Sequence, residues 1–203
     1  LLNTLYQIYS SKPTAIHLLI PPDLNSPNIE ADKVEIRSQD ETRVGQQGSL
    51  TRIWAKKGTR PRKVKQRQFI STYLYGAACH QTGQSFVVVL PSTNTQSMNM
   101  FLKGLSMDIP EGKHVALIVD NAGWHKSSDL TVPSNITLIP LPPYSPELNA
   151  MEQVWQWIKK NFLYNRCYAD YNDIVDTVCD AWNQVSQKPD LIKSIIHRQW
   201  IFI

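Results

Sequence analysis

Two aspartates directly follow stretches of sequence that have the pattern of β-strands. Asp40 comes after residues 34–39, and Asp120 comes after the apolar run at 115–119. Because open α/β sheets carry their chemistry at strand ends, we expect these two carboxylates to lie close together. An acid that leaves a buried strand needs a partner, since an unpaired buried charge is costly. A metal ion or an arginine would supply that partner.

A third carboxylate, Glu152, lies on a predicted amphipathic helix. If Met151 marks the centre of the buried face, Glu152 falls about 100° away, at the edge of the apolar stripe. It could therefore point along the sheet toward the strand ends. Lys159 lies on the same edge two turns later, where it could contact a phosphate.

Three carboxylates provide oxygen ligands alone, which suit Mg²⁺ or Mn²⁺ better than zinc. Two such ions about 4 Å apart can activate a water or a 3′-hydroxyl and stabilise the leaving oxygen of an in-line phosphoryl transfer. No nucleophilic serine or cysteine is then required. The sequence contains no G-x-S-x-G, P-loop or H-E-x-x-H motif.

Each acid also has a purely structural interpretation. Asp40 could belong to a turn, Asp120 could cap a helix before residues 121–123, and Glu152 could form a surface ion pair. The three acids favour a catalytic site only when they are taken together with a basic segment described below.

The elements that would position these acids form a mixed α/β sheet with helices packed on it. Alternating and apolar patterns predict strands at 34–40, 69–79, 85–90, 115–120 and 135–140, the second and third forming a hairpin. A helix is predicted from Thr95, with Met98, Phe101, Leu102 and Leu105 on its buried face.

Two more helices are predicted in the last third of the chain. Ser145 and Pro146 have the pattern of an N-cap followed by the first helical residue. Asp170 would cap the next helix, which has a polar face of Asp173, Asp176 and Asp180. The apolar stripes would be formed by Leu148, Met151, Val154, Trp155, Ile158 and Phe162, and by Ile174, Val175, Val178, Trp182 and Val185.

The charge distribution is uneven although the net charge is only +4. No acidic residue occurs between Thr42 and Met107, and eight of the ten basic residues in that stretch lie between Arg52 and Arg67. Such a block attracts a polyanion such as a phosphate backbone, although a solvated basic loop is the alternative. The eight are Arg52, Lys56, Lys57, Arg60, Arg62, Lys63, Lys65 and Arg67.

Composition restricts the class of protein. The 203 residues suit one domain, and no apolar run approaches the roughly 20 residues of a membrane span. Three cysteines without a C-x-x-C pair argue against a disulfide framework and a zinc knuckle. Residues 1–33 have little pattern and are expected to be an irregular leader or a remnant, followed by one domain at 34–203. A soluble cytoplasmic protein without membrane contact is expected.

Three motifs occur in a familiar order. They are Asp-Glu at 40–41, Asp-Asn-Ala-Gly-Trp-His at 120–125, and Pro-Pro-Tyr-Ser-Pro-Glu-Leu-Asn-Ala-Met-Glu-Gln-Val-Trp at 142–155. Over residues 34–200 the chain resembles the mariner-like transposase superfamily, and in particular its bacterial insertion-sequence branch.

This resemblance implies a ribonuclease H-like fold, with a mixed sheet of about five strands flanked by helices. It also implies a D-D-E triad of Asp40, Asp120 and Glu152 that holds two Mg²⁺ or Mn²⁺ ions. Asn121, His125 and Tyr144 match neighbouring motif positions that support the ligands or contact DNA. The implied activity is cleavage of DNA at element ends and strand transfer into target DNA. Implied partners are DNA, a second copy of the chain and a separate helix-turn-helix chain for end recognition, in the bacterial nucleoid.

The match has departures that leave alternatives open. Ala150 stands where the family usually has proline, and Arg37-Ser38 stand where large apolar residues are usual. Only 31 residues separate Asp120 from Glu152, slightly fewer than is usual. A catalytically decayed DNA-binding remnant and another ribonuclease H-like nuclease are therefore the competing interpretations.

Overall fold

The computed structural model describes residues 31–48, 51–59, 62, 64–120, 122–123, 127–142, 145 and 148–198. Except for a short 3₁₀ turn at Ala31–Lys33, the expected leader lies outside the described residues. The strands are β1 (Val34–Gly45), β2 (Ser71–Cys79), β3 (Ser85–Leu90), β4 (His114–Val119) and β5 (Ile136–Pro140). The helices are α1 (Thr95–Asp108), α2 (Met151–Ile158), α3 (Tyr171–Ser186) and α4 (Pro189–Ile196).

The five strands form one mixed sheet in the order β3-β2-β1-β4-β5. β2 runs antiparallel to both β1 and β3, whereas β4 runs parallel to β1 and to β5. The predicted hairpin is confirmed: Gly83 turns it at a φ of +75°, a conformation that glycine adopts without strain. Strands predicted at 69–79, 115–120 and 135–140 differ from the observed ones by one or two residues at an end.

One face of the sheet is covered by α1. The predicted stripe of Met98, Phe101, Leu102 and Leu105 is fully buried against Tyr75, Leu117 and their neighbours. Asn94 is the N-cap, and its side chain accepts a hydrogen bond from the Ser97 N–H. The helix therefore begins at Thr95, as the sequence predicts.

The opposite face is covered by α2, α3 and α4. Met151, Val154, Trp155 and Ile158 of α2 pack with the stripe of α3. Asp170 caps α3 as predicted, since its side chain accepts from the Asp173 N–H at 2.9 Å. Val175 is only half-buried, and Ala181 occupies the core instead. Among the described residues, no helix is long and apolar enough to cross a bilayer.

The helix that carries Glu152 begins later than predicted. α2 starts at Met151, so Ser145 is not its N-cap, and Pro146 lies outside the described residues. Just before this start, Asn149 Oδ1 accepts from the Met151 N–H at 3.2 Å while its Nδ2 donates to the Gln39 carbonyl at 2.9 Å. This bridge ties the start of α2 to β1.

The polar pair Arg37 and Ser38 is buried in β1 without being left unsatisfied. The Arg37 guanidinium forms ion pairs with Glu35 at 2.8 Å and with Asp108 at 3.3 Å. Ser38 Oγ lies 2.8 Å from Nε2 of His80. Because both side chains are hydrogen-bonded, these polar residues are accommodated inside β1.

Candidate active site

The two aspartates lie on one face of the sheet, at the edge where β4 ends. Val119 is the last residue of β4, so Asp120 follows a strand end as predicted. Asp40 does not, because β1 continues to Gly45 in an antiparallel ladder with β2. The parallel pairing of β1 with β4 stops at Ser38, and the next part of β1 therefore borders open space. The predicted position of Asp40 at a strand end is wrong, but the two carboxylates still meet.

A third acid, Glu41, lies beside Asp40 and Asp120, although the sequence analysis did not select it. One carboxylate oxygen each from Asp40, Glu41 and Asp120 lies within 4.8 Å of the others. Adjacent residues of a strand point to opposite faces, so a sequence pattern separates Glu41 from Asp40. The pairing of β1 with β4 ends at Ser38, and beyond that point the carboxylates of Asp40 and Glu41 both approach that of Asp120. The only sequence feature that could have pointed to Glu41 is its position directly after Asp40.

Glu152 lies in the first turn of α2, where its exposed side chain lines the same cavity. It is not part of the three-carboxylate group described above. Its charge nevertheless contributes to raising the pKa of Asp40. Lys159 lines the cavity as well, and burial lowers its pKa although the carboxylates of Asp40 and Glu152 oppose that effect.

Burial raises the pKa of Asp40 to about 8, and the negative charge of Glu41 adds to the effect. The charges of Asp120 and Glu152 act in the same direction, and a hydrogen bond from the Glu41 backbone opposes them. Crowded carboxylates of this kind are stabilised in their ionised form by a cation. Their oxygen donors fit Mg²⁺ or Mn²⁺, which bind carboxylates in preference to softer ligands.

The surrounding cavity has a volume of about 510 Å³ and contains polar groups that fix the acids. Oδ1 of Asp120 accepts a hydrogen bond from the Ala122 N–H at 3.0 Å, which restricts the orientation of the carboxylate. Ser145 and Asn149 also line the cavity. Through its bond to the Gln39 carbonyl, Asn149 fixes α2 beside Asp40.

The cavity wall depends on a glycine that the sequence analysis did not identify. Gly76 pairs with Asp40 across the β1–β2 ladder. A Cβ atom at Gly76 would lie 2.5 Å from Cη2 of Trp155, whose side chain lines the cavity. The absence of a side chain at Gly76 therefore lets α2 approach the sheet closely.

The remaining predicted site residues divide into two groups. Asn121, His125, Tyr144, Arg60 and Lys63 lie outside the described residues. The other six basic residues are exposed and do not line the acidic cavity; they are Arg52, Lys56, Lys57, Arg62, Lys65 and Arg67.

The segment that carries these six residues contacts the loop before α3, and the shortest of these contacts involve Gln66. The Gln66 side chain donates to the Tyr168 carbonyl and accepts from the Tyr168 N–H, both at 2.7 Å. Trp54 and Phe69 are exposed on the same segment. The segment thus presents cations and aromatic rings to solvent beside the cavity-bearing face.

Comparison with known proteins identifies the family. A sequence model described as "DDE superfamily endonuclease" matches residues 35–175, which include all four carboxylates of the cavity. The chain belongs to this family.

This DDE-family chain is also similar to a curated protein of Sinorhizobium fredii (strain NBRC 101917 / NGR234), "Uncharacterized protein y4pE/y4sA". The two are 45% identical over 128 residues, which cover 63% of this chain and 95% of the other.

Among solved structures, the chain is similar to Mos1 mariner in paired-end complexes with Mg and with Mn. The TM-scores are 0.60 and 0.58, at 19% and 15% identity, and cover 94% and 90% of this chain. The chain spans 58% of the length of either Mos1 chain. At these identities the likeness concerns the fold, and it confirms the predicted ribonuclease H-like architecture.

Proposed function

We propose that this chain is the catalytic domain of a cut-and-paste DNA transposase, which cleaves DNA and transfers the freed strand with divalent metal ions. The observation that carries the proposal is the meeting of Asp40 and Asp120 on one sheet face, with Glu152 of α2 lining the same cavity. Family membership and the Mos1 complexes, which were solved with Mg or Mn, support it.

Asp40, Asp120 and Glu152 would hold two Mg²⁺ or Mn²⁺ ions, with Glu41 as an additional carboxylate near the first aspartate. When bound, such ions supply Lewis-acid stabilisation of phosphoryl transfer and lower the pKa of a nucleophilic hydroxyl. The residues of the chain have positioning roles. The Ala122 N–H orients Asp120, and Asn149 sets the distance between β1 and the helix that carries Glu152.

The DNA would be held by cations around the cavity. Lys159 lies at the cavity wall, where an ammonium group can bind a backbone phosphate near the reacting bond. The exposed basic segment from Arg52 to Arg67 would bind more distant phosphates, with an affinity that falls as salt rises. A second copy of the chain, and a separate chain for recognition of the element ends, would complete the assembly.

The direct test is a cleavage and strand-transfer assay on the full chain. Wild-type protein with Mn²⁺ should nick supercoiled plasmid DNA and join an oligonucleotide with a free 3′-hydroxyl to it. Asp120→Asn should abolish both products. Asp129→Asn is the matched control, because that exposed aspartate lies in the same connection between β4 and β5.

Equal nicking by the wild type and by Asp120→Asn would contradict the proposal. Nicking without joining would indicate a ribonuclease H-like nuclease instead. Salt-sensitive DNA binding without any metal-dependent nicking would indicate a DNA-binding remnant.

A further inference from the structure

A second, smaller pocket of about 120 Å³ adjoins the carboxylate cavity. The two share Lys159 and Tyr164 in their walls. The smaller pocket begins at Arg43, three residues beyond Asp40, follows β1 to its end at Gly45 and continues to Gly48. It is therefore a continuation of the same surface, beyond the point where the acids lie.

The charges of the two compartments are opposite. The larger cavity is lined by Asp40, Glu41, Asp120 and Glu152, with Lys159 at its border. Among the described residues that line the smaller pocket, the charged ones are Arg43 and Lys159, both cationic. Acids that bind cations thus lie beside a compartment suited to an anion.

The smaller pocket is formed by a distortion of the helix and by a buried polar residue. After α2 the chain continues as a π-helical turn, Lys159–Leu163, closed by a hydrogen bond from the Tyr164 N–H to the Lys159 carbonyl at 2.8 Å. Turns of this kind often occur at functional sites, and this one directs Lys159, Leu163 and Tyr164 into one wall.

Tyr168 forms a buried part of the pocket wall. Its side chain lines the pocket, is 2% exposed, and has a hydroxyl without a hydrogen-bond partner among the described residues. The Gln46 amide donates to the Tyr168 carbonyl at 2.9 Å, which holds this part of the wall in place.

We propose that this pocket binds a backbone phosphate of the DNA strand whose neighbouring phosphodiester lies at the carboxylates. The inference rests on the proposed function and adds a positioning subsite to it. Three residues of strand span about 10 Å, a distance that about three nucleotides cover at about 3.4 Å each. Arg43 and Lys159 would bind the phosphate, and Tyr164 offers a ring on which a base can stack.

The test uses a 5′-phosphorylated thymidine dinucleotide, titrated into the full, isotope-labelled chain without metal and followed by amide chemical shifts. We expect shifts at Gly45, Gln47, Gly48 and Tyr164. Arg43→Gln should weaken binding about tenfold, the effect expected for loss of a charge-assisted hydrogen bond. Arg43→Lys should retain part of the affinity.

Lys103→Gln is the matched control, because this exposed cation lies on α1 across the sheet and should leave binding unchanged. Inorganic phosphate provides a second titration. Unchanged affinity in Arg43→Gln, or equal shifts with inorganic phosphate at the same concentrations, would overturn the proposal.

This test is separable from the test of catalysis. Asp120→Asn should bind the dinucleotide as the wild type does, since Asp120 does not line the smaller pocket. Dinucleotide binding without metal-dependent nicking would contradict the proposed function and leave the phosphate subsite in place. If Arg43→Gln changed neither nicking nor dinucleotide binding, the phosphate subsite would be contradicted and the proposed function would not.

Discussion

Asp40 and Gly76 are partners across the β1–β2 ladder, and the indole of Trp155 fills the space that a side chain at Gly76 would occupy. Because Gly76 has no side chain, the helix that carries Glu152 can pack close to the part of β1 that carries Asp40. If α2 moved outward, Glu152 would lose its place in the cavity beside Asp40.

Gly76→Ala should therefore impair both folding and the site. The added methyl group would force Trp155 and α2 away from the sheet, and overpacking of this kind costs about 1–3 kcal/mol. We expect a corresponding fall in the free energy of unfolding, measured with urea, and a loss of nicking activity. Gly48→Ala should change stability by less than about 0.5 kcal/mol, because its Cβ would meet only the Gly45 carbonyl, at 3.6 Å. Equal stability of Gly76→Ala and the wild type would contradict this account.

Asp40→Asn should stabilise the metal-free protein at high pH. The pKa of Asp40 is raised from an ordinary value of 3.8 to about 8, so the folded state holds a proton that the unfolded state releases. Ionised Asp40 therefore lowers stability increasingly as pH rises toward and through 8. At pH 9 in chelator, the variant should exceed the wild type by at least about 1 kcal/mol, and the difference should close at pH 4.

Urea unfolding at both pH values measures this difference, with Asp129→Asn as a control that should show no such dependence. The raised pKa of Asp40 would be contradicted if the difference in free energy of unfolding were the same at both pH values, or if Asp40→Asn were less stable than the wild type at pH 9. Such a result would mean that Asp40 carries no electrostatic strain in the absence of metal.

His80 should make the fold sensitive to acid. Burial, with the charges of Arg198 and His197, lowers its pKa from 6.5 to about 4. Between these two pKa values the unfolded state binds a proton that the folded state does not. The contribution of neutral His80 to the free energy of unfolding is therefore fully present above pH 6.5 and is lost as pH falls toward 4. The loss is on the order of 3 kcal/mol.

His80→Gln removes this titration. Its stability relative to the wild type should therefore improve between pH 7 and pH 4, as measured by urea unfolding at each pH. A difference that stays constant across that range would show that His80 titrates normally in the folded protein.

The fold could be predicted from the sequence where local patterns decide it. The apolar periodicity of α1, the Asp170 cap of α3 and the turn before β3 depend on neighbouring residues, and the structure confirms them. Arg37 in β1 does not follow such a pattern, because its buried guanidinium is paired both by the nearby Glu35 and by Asp108, which is 71 positions away.

Three of the four described acids that line the cavity were selected from the sequence, but Glu41 and the geometry of the cavity were not. Asp120 ends a buried strand, which a local pattern reveals. The interior position of Asp40 depends on how far β2 pairs with β1, and the inclusion of Glu41 depends on where β4 stops. The role of Gly76 depends on a tryptophan 79 positions later in the chain. These are tertiary relationships that a single sequence does not display.

The central claim is that the acids of β1, β4 and α2 form a divalent metal site. Calorimetric titration of Mn²⁺ into the full chain tests it without requiring the correct DNA end. We predict saturable binding in the wild type, a loss of affinity of about tenfold or more in Asp120→Asn, and no change in Asp129→Asn. Equal Mn²⁺ affinity in Asp120→Asn and the wild type would contradict the assignment.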